Sequence, residues 1–244
     1  MIYFCHITST GNCGDLMSGP YHWFDFGEHH QAVDYLDHAS IPADATVIYG
    51  GGTLTGWLSG RLAPTRTNIA WGIGSTRHGE TTALPTPAGL ALAGVRDWPT
   101  ECWVPCASCM SPLFDRGWPR PEHEAVLFMN ADPSIQRRYP VHVRDLPTMD
   151  NRAPMDEIVP FLASGATVVT NSYHGAYWGF LLGRAVVVAA PYSSKFYGFR
   201  EHPAYSADGR DWRERSLGSG AVSLKECRSA NRAFYENWRG QVWG

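Results

Sequence analysis

His174 stands in the run TNSYHGAYWGFLLG, framed by Asn171, Ser172 and Gly175 where a β-branched stretch gives way to an apolar one. An imidazole titrates near neutral pH, so it suits proton transfer and also the holding of anionic oxygens. Complementary groups lie elsewhere in the chain. Asp15 is a carboxylate able to orient or deprotonate a hydroxyl, and Arg96, Arg144 and Lys195 are cations able to hold phosphate or carboxylate. Each also has a plainer role. Asn171 or Ser172 caps a helix, Asp15 forms a turn, Arg96 pairs with its neighbour Asp97, Lys195 is a solvated loop charge, and His174 bonds to backbone.

Position favours chemistry for His174. Residues 166–170 read as a buried parallel strand, 173–182 as an apolar helix stopped by Gly183, and 185–190 as the next strand. Asn171, Ser172 and His174 therefore fall at a strand's carboxyl end and a helix's amino end. That is where open α/β sheets bind ligands and where free helix N–H groups favour phosphate or carboxylate.

The same strand-then-polar-loop unit recurs through the first half. Residues 2–7 form a strand entering a glycine-bearing turn, which places Asn12, Gly14 and Asp15 at the sheet's carboxyl edge. Residues 31–39 read as part of a helix, and 45–49 as a strand entering Gly50, Gly51 and Gly52, whose missing Cβ atoms let backbone approach a ligand or a helix. Strands at 68–71 and 90–95 follow, the first before Gly72 and Gly74 and the second before Arg96 and Asp97. Trp118, Pro119, Arg120 and Pro121 mark a linker. Beyond it, 125–130 reads as a strand, 131–139 as a loop, 141–145 as a strand, 156–163 as a helix and 192–199 as a polar aromatic loop carrying Lys195. Ser223 and Glu226 form a capping box opening a helix to about Val242 that carries Phe234, Tyr235 and Trp238. The expected fold is α/β with two Rossmann-like halves. Residues 1–118 form the first domain, 119–222 the second, and 223–244 a C-terminal helix packing back across both.

Composition narrows the function classes. With 44% hydrophobic and 18% charged residues in 244, the chain is ordinary globular protein, and a formal charge of -3 argues against a nucleic-acid partner, which needs a basic footprint. No apolar run reaches the length of a membrane span, and Met1 opens directly into a strand-like IYFCHI, so a cytoplasmic protein is expected. The 10 tryptophans and 11 tyrosines suit carbohydrate stacking or a large aromatic core. Cys102, Cys106 and Cys109 have the spacing of a three-thiolate iron–sulfur loop. Ser108 before the third cysteine, and the strands preceding the group, fit that use poorly. Reduced structural thiols are expected, with a zinc site drawing on Cys5, Cys13 or a histidine, or a redox-sensitive Cys106–Cys109 pair, as alternatives.

Asn12-x-Gly14-Asp15, Gly50-Gly51-Gly52, Gly72-x-Gly74, Val95-Arg96-Asp97, the TNSYHG segment ending at Gly175, and Lys195 follow one another in an order that resembles the polysaccharide pyruvyl transferase family. The resemblance implies a two-domain fold of the glycosyltransferase-B type with its active site between the halves. It implies transfer of the enolpyruvyl group of phosphoenolpyruvate to a sugar or polysaccharide-precursor acceptor, giving a pyruvate ketal and phosphate, in capsule, exopolysaccharide or cell-wall polymer synthesis. His174 and Asp15 would be catalytic, and Asn12, Gly14, Gly51, Gly52, Arg96, Arg144, Asn171, Ser172 and Lys195 would bind substrate. The reaction requires no metal and no cofactor beyond phosphoenolpyruvate as donor, and a lipid-linked acceptor would bring peripheral contact with a membrane. Family members often carry an arginine two residues before the histidine, where this chain has Ser172. A serine cannot supply a guanidinium's bidentate charge. A nucleotide-sugar-dependent glycosyltransferase on the same fold and a non-catalytic saccharide-binding protein are therefore the alternatives, with the oligomeric state open.

Overall fold

Strands covered on both faces carry apolar residues at consecutive positions, and VIY, IAW and VVT are such runs. A computed structural model, describing residues 1–27, 29–220 and 222–243, places them in the middle of two sheets. The strands are β1 (Ile2–His6), β2 (His30–Asp34), β3 (Thr46–Gly50), β4 (Thr67–Ile73), β5 (Leu92–Val95), β6 (His123–Met129), β7 (Thr148–Asp150), β8 (Gly165–Thr170), β9 (Ala185–Ala189) and β10 (Ala204–Ser206). The helices are α1 (Cys13–Leu16), α2 (Thr55–Leu58), α3 (Pro133–Arg138), α4 (Met155–Ser164), α5 (Tyr173–Leu181), α6 (Trp212–Ser216) and α7 (Leu224–Trp243).

The first sheet runs β2-β1-β3-β4-β5 and the second β10-β9-β8-β6-β7, with neighbouring strands parallel throughout. Numbered within its own half, each sheet has the order 2-1-3-4-5, that of a doubly wound Rossmann-like unit. In each, the chain reverses its direction of winding between the first and third strands, here β1 with β3 and β6 with β8.

Period-two alternation divides each sheet into two faces. Phe4, Ile48, Ile69 and Trp71 cover one face of the first sheet, and Cys5, Val47, Tyr49 and Ala70 the other. In the second, Val126, Phe128, Val168 and Val186 pack with Ile158, Leu162 and Trp178, whereas Leu127, Val169 and Val187 pack with Trp212. Helix α7 joins clusters from both halves. Phe234 and Trp238 lie with Phe4 and Trp71, while Cys227 lies with Cys109 and Tyr177. Between them the buried Asn231 accepts from Trp71 Nε1 at 2.8 Å and donates to the Pro105 carbonyl at 3.1 Å.

Three local expectations are corrected. Residues 31–39 do not form one α-helix. They form edge strand β2 and a 3-10 segment, Tyr35–Ser40, because the Asp34 carboxylate ends the strand by accepting from the amides of Thr8, Ser9 and Leu36. Residues 141–145 form no strand. Val141 and Val143 pack half-buried against the β9 side of the second sheet, the His142 amide donates to the Asp208 carbonyl at 2.7 Å, and the paired strand is β7. The supposed loop at 131–139 contains α3, started by Asp132 as N-cap and Pro133 at its first turn.

Asn231→Ala leaves the Trp71 Nε1–H and the Pro105 carbonyl without partners in a dry interior. At about 1–3 kcal/mol for each of the two orphaned groups, the variant is expected to lose roughly 2–6 kcal/mol of stability, read from urea denaturation midpoints.

Candidate functional site

Because all the paired strands are parallel, the segments that leave them emerge along one edge of each sheet, and the two edges face a common cleft of about 470 Å³. The first half lines it with the loops after β1, β3, β4 and β5, and the second with those after β6, β7, β8 and β9. Both reversal points, β1 with β3 and β6 with β8, open on it. Ligands of doubly wound sheets bind at such points.

The loop after β8 is fixed from below. Thr170 Oγ1 donates to the Phe128 carbonyl at 2.6 Å and accepts from the Ser172 amide at 2.9 Å, and Asn171 Oδ1 accepts from the Asn130 amide at 2.7 Å. Ser172 caps α5, its Oγ accepting from the Gly175 amide at 3.5 Å. A Cβ on Gly175 would come within 2.5 Å of Phe128 and Thr170, so glycine is what lets α5 begin against the sheet. His174 follows from this placement, buried at 4% exposure and flanked by Tyr173 and Trp178.

The loop after β1 meets it from the other half. Asn12 caps α1, accepting from the Gly14 amide at 3.1 Å, and its Nδ2 donates to Asp15 Oδ2 at 2.7 Å. A Cβ on Gly14 would lie 2.0 Å from His174 Nδ1, so the imidazole occupies the space a side chain there would need. Gly14 thus seats His174. Gly51 plays a similar part against Ser18, where a Cβ would come within 2.1 Å, and neither Gly51 nor Gly52 lines the cleft.

Arg96 is 3% exposed, with its guanidinium carbon 3.7 Å from the centre of the Tyr173 ring. Its Nε and Nη1 are buried without a partner. The adjacent Asp97 is taken by Ser75, whose amide and hydroxyl donate to Asp97 Oδ2 at 2.6 and 2.9 Å. Lys195 is half-buried, Nζ donating to the Tyr192 hydroxyl at 2.6 Å. Burial pushes the Asp15 carboxyl up, against the pull of Lys195 and Arg96. Burial, then Arg96 and Lys195, pushes His174 well down, so its imidazole is neutral rather than poised near neutrality as its residue type suggests.

Asn12, Asp15, Arg96, Ser172, His174 and Lys195 therefore share one cleft, with Asn171 buried beneath it. Arg144 does not join them. It lines a separate pocket with Arg210, Trp212 and Arg213, because residues 141–146 turn away under β9. His78, Asn130, Arg152 and Tyr192 also line the cleft, and sequence reasoning missed them. For Asn130 and Arg152 the available signal was a polar residue just after a strand. Cys106 and Cys109 are buried free thiols and Cys102 is exposed, and among the described residues no three His, Cys, Asp or Glu side chains are placed to hold a metal ion. No helix among them is long and apolar enough to cross a membrane.

Two outcomes check this geometry. Helix propensity alone would favour Gly14→Ala by about 1 kcal/mol, but overlap with the imidazole reverses the sign, and a net loss of roughly 1–3 kcal/mol is expected in urea denaturation. His6 is buried, hydrogen-bonded to the Tyr21 hydroxyl at 3.0 Å, and burial lowers its pKa from 6.5 to about 4. The unfolded chain then takes up the proton first, so stability present above pH 6.5 is lost as pH falls toward 4. The loss from this group is roughly 3 kcal/mol, and His6→Gln should remove that part of the pH dependence. No family model, curated protein or solved structure matches this chain.

Proposed function

We propose that the protein is a transferase that holds a phosphate- and carboxylate-bearing donor between its two halves, and that the donor is phosphoenolpyruvate, its enolpyruvyl group passing to a sugar acceptor as in polysaccharide pyruvyl transferases. The observation that carries this reading is the pair of reversal points meeting in one cleft around unspent donors. Arg96 Nε and Nη1 and Asn171 Nδ2 are buried without partners, and Lys195 and the amino end of α5 stand beside them. Buried donors left open cost stability unless a ligand supplies oxygens, and anionic oxygens answer a guanidinium and a helix start best.

The chemistry fits the groups present. One acceptor hydroxyl replaces phosphate at the enolpyruvyl carbon, a second completes the ketal, the methylene gains a proton to become methyl, and phosphate leaves with the other hydroxyl proton. In this reading Asp15, whose pKa burial raises, takes the hydroxyl proton. Arg96 and Lys195 neutralise the donor's phosphate and carboxylate. The contacts of α7 with clusters from both halves support a glycosyltransferase-B-like arrangement.

One observation keeps a second reading. Ser172 is spent on capping α5 and brings no charge, which a nucleotide-sugar donor, with its phosphates on the helix start, would need less.

Thermal-shift titration separates the two. Phosphoenolpyruvate at a hundredfold excess over its Kd should stabilise the protein by about 2.7 kcal/mol. Arg96→Ala should weaken that binding by roughly 10- to 100-fold. Stabilisation by nucleotide sugars with none by phosphoenolpyruvate would overturn the donor assignment.

A further inference from the structure

Behind His174, on the side away from the cleft, lies a buried row of polar groups that the proposed chemistry does not use. Trp178 Nε1 is 3.0 Å from Ser108 Oγ, Ser108 Oγ is 3.2 Å from Cys106 Sγ, and Cys106 Sγ is 3.5 Å from His174 Nε2. Ser108, Cys106 and Trp178 are fully buried, on a 3-10 segment (Ala107–Met110), the residue before it, and α5. The backbone around Cys106 is tied down as well, because its carbonyl accepts from the Tyr177 hydroxyl at 2.9 Å.

The direction of this row follows from its first member. An indole N–H can only donate, so Ser108 Oγ accepts from Trp178 and its own proton must go elsewhere. Among the described residues its neighbour with a free lone pair is Cys106 Sγ. With a lone pair of sulfur used in that way, the thiol proton faces His174 Nε2. Burial keeps the Cys106 thiol protonated, so it has that proton to give. The opposite arrangement, with Nε2–H donating to sulfur, would leave the S–H without an acceptor in a dry interior.

We infer that the Trp178–Ser108–Cys106 row fixes His174 as the neutral Nδ1–H tautomer, making Cys106 a positioning residue that turns His174 into a hydrogen-bond donor toward the cleft. Among the described residues Nδ1 has no hydrogen-bond partner, and it stands beside Gly14 where His174 lines the cleft. The use of this donor rests on the proposed transferase reading, and it sharpens it. A neutral imidazole with Nδ1–H holds an oxygen of the donor substrate and cannot serve as the base for a sugar hydroxyl, which leaves that task to Asp15. The tautomer itself is a property of the free protein.

Long-range proton–nitrogen NMR of the histidine rings tests it without any substrate. In the wild-type protein near neutral pH, the His174 pattern should show Nδ1 protonated and Nε2 bare. Cys106→Ser keeps an O–H donor and should keep that pattern, whereas Cys106→Ala should move the ring toward the Nε2–H form that histidine ordinarily prefers in water. Ser108→Ala, which removes the group that orients the thiol, should shift it in the same direction. A wild-type spectrum with Nε2 protonated would overturn the inference whether or not any variant folds, and so would an unchanged tautomer in Cys106→Ala. Phosphoenolpyruvate binding with an Nε2–H ring would defeat this inference alone, and an Nδ1–H ring without such binding would defeat the donor assignment alone.

Discussion

The imidazole of His174 fills the space beside Gly14 that any larger residue would claim, and the site depends on that contact. It is where the reversal point of one sheet touches the reversal point of the other. Each neighbouring feature serves the approach. Asn12 starts α1 so that Gly14 faces His174, Ser172 starts α5, and Gly175 lets that helix begin flush on Phe128. A side chain added at residue 14 would separate the loops, and the donors contributed by each half would no longer share a ligand.

Electrostatics then follow from closeness and dryness. Arg96 lies on the Tyr173 ring, a contact that holds a buried cation without neutralising it. Asp97, which sequence adjacency suggests as its counter-ion, is turned to Ser75 instead. The cleft therefore keeps a cation whose Nε and Nη1 have no hydrogen-bond partner among the described residues, and the same field, with burial, holds His174 neutral and competes with burial at Asp15. A site of this kind is set up for an anion supplied from outside.

Much of the framework was legible because parallel strands covered on both faces leave an unambiguous apolar mark, as at β3, β4 and β8. Placing His174 at a strand-to-helix junction needed only that mark and the glycine that ends the helix. Edge elements were less legible. HQAVD carries too little apolar character to betray a strand, and its fate was decided by the distant pairing of β2 with β1. Val141 and Val143 alternate as a strand would, yet pack half-buried without pairing. Arg144 and Arg96 look alike in sequence, and only the path of the chain sends one to a separate pocket and the other under Tyr173. Cys106 was noticed for its spacing to other cysteines, but its neighbour proves to be a histidine 68 positions away.

The most direct test of a single site built by both halves is a backbone amide NMR titration with phosphoenolpyruvate. Shifts are expected together, with one dissociation constant, in the loop after β1 from Thr10 to Asp15, at Arg96, and at the start of α5 from Ser172 to Gly175. Shifts confined to one half, or gathered around Arg144 and Arg210, would contradict a shared site.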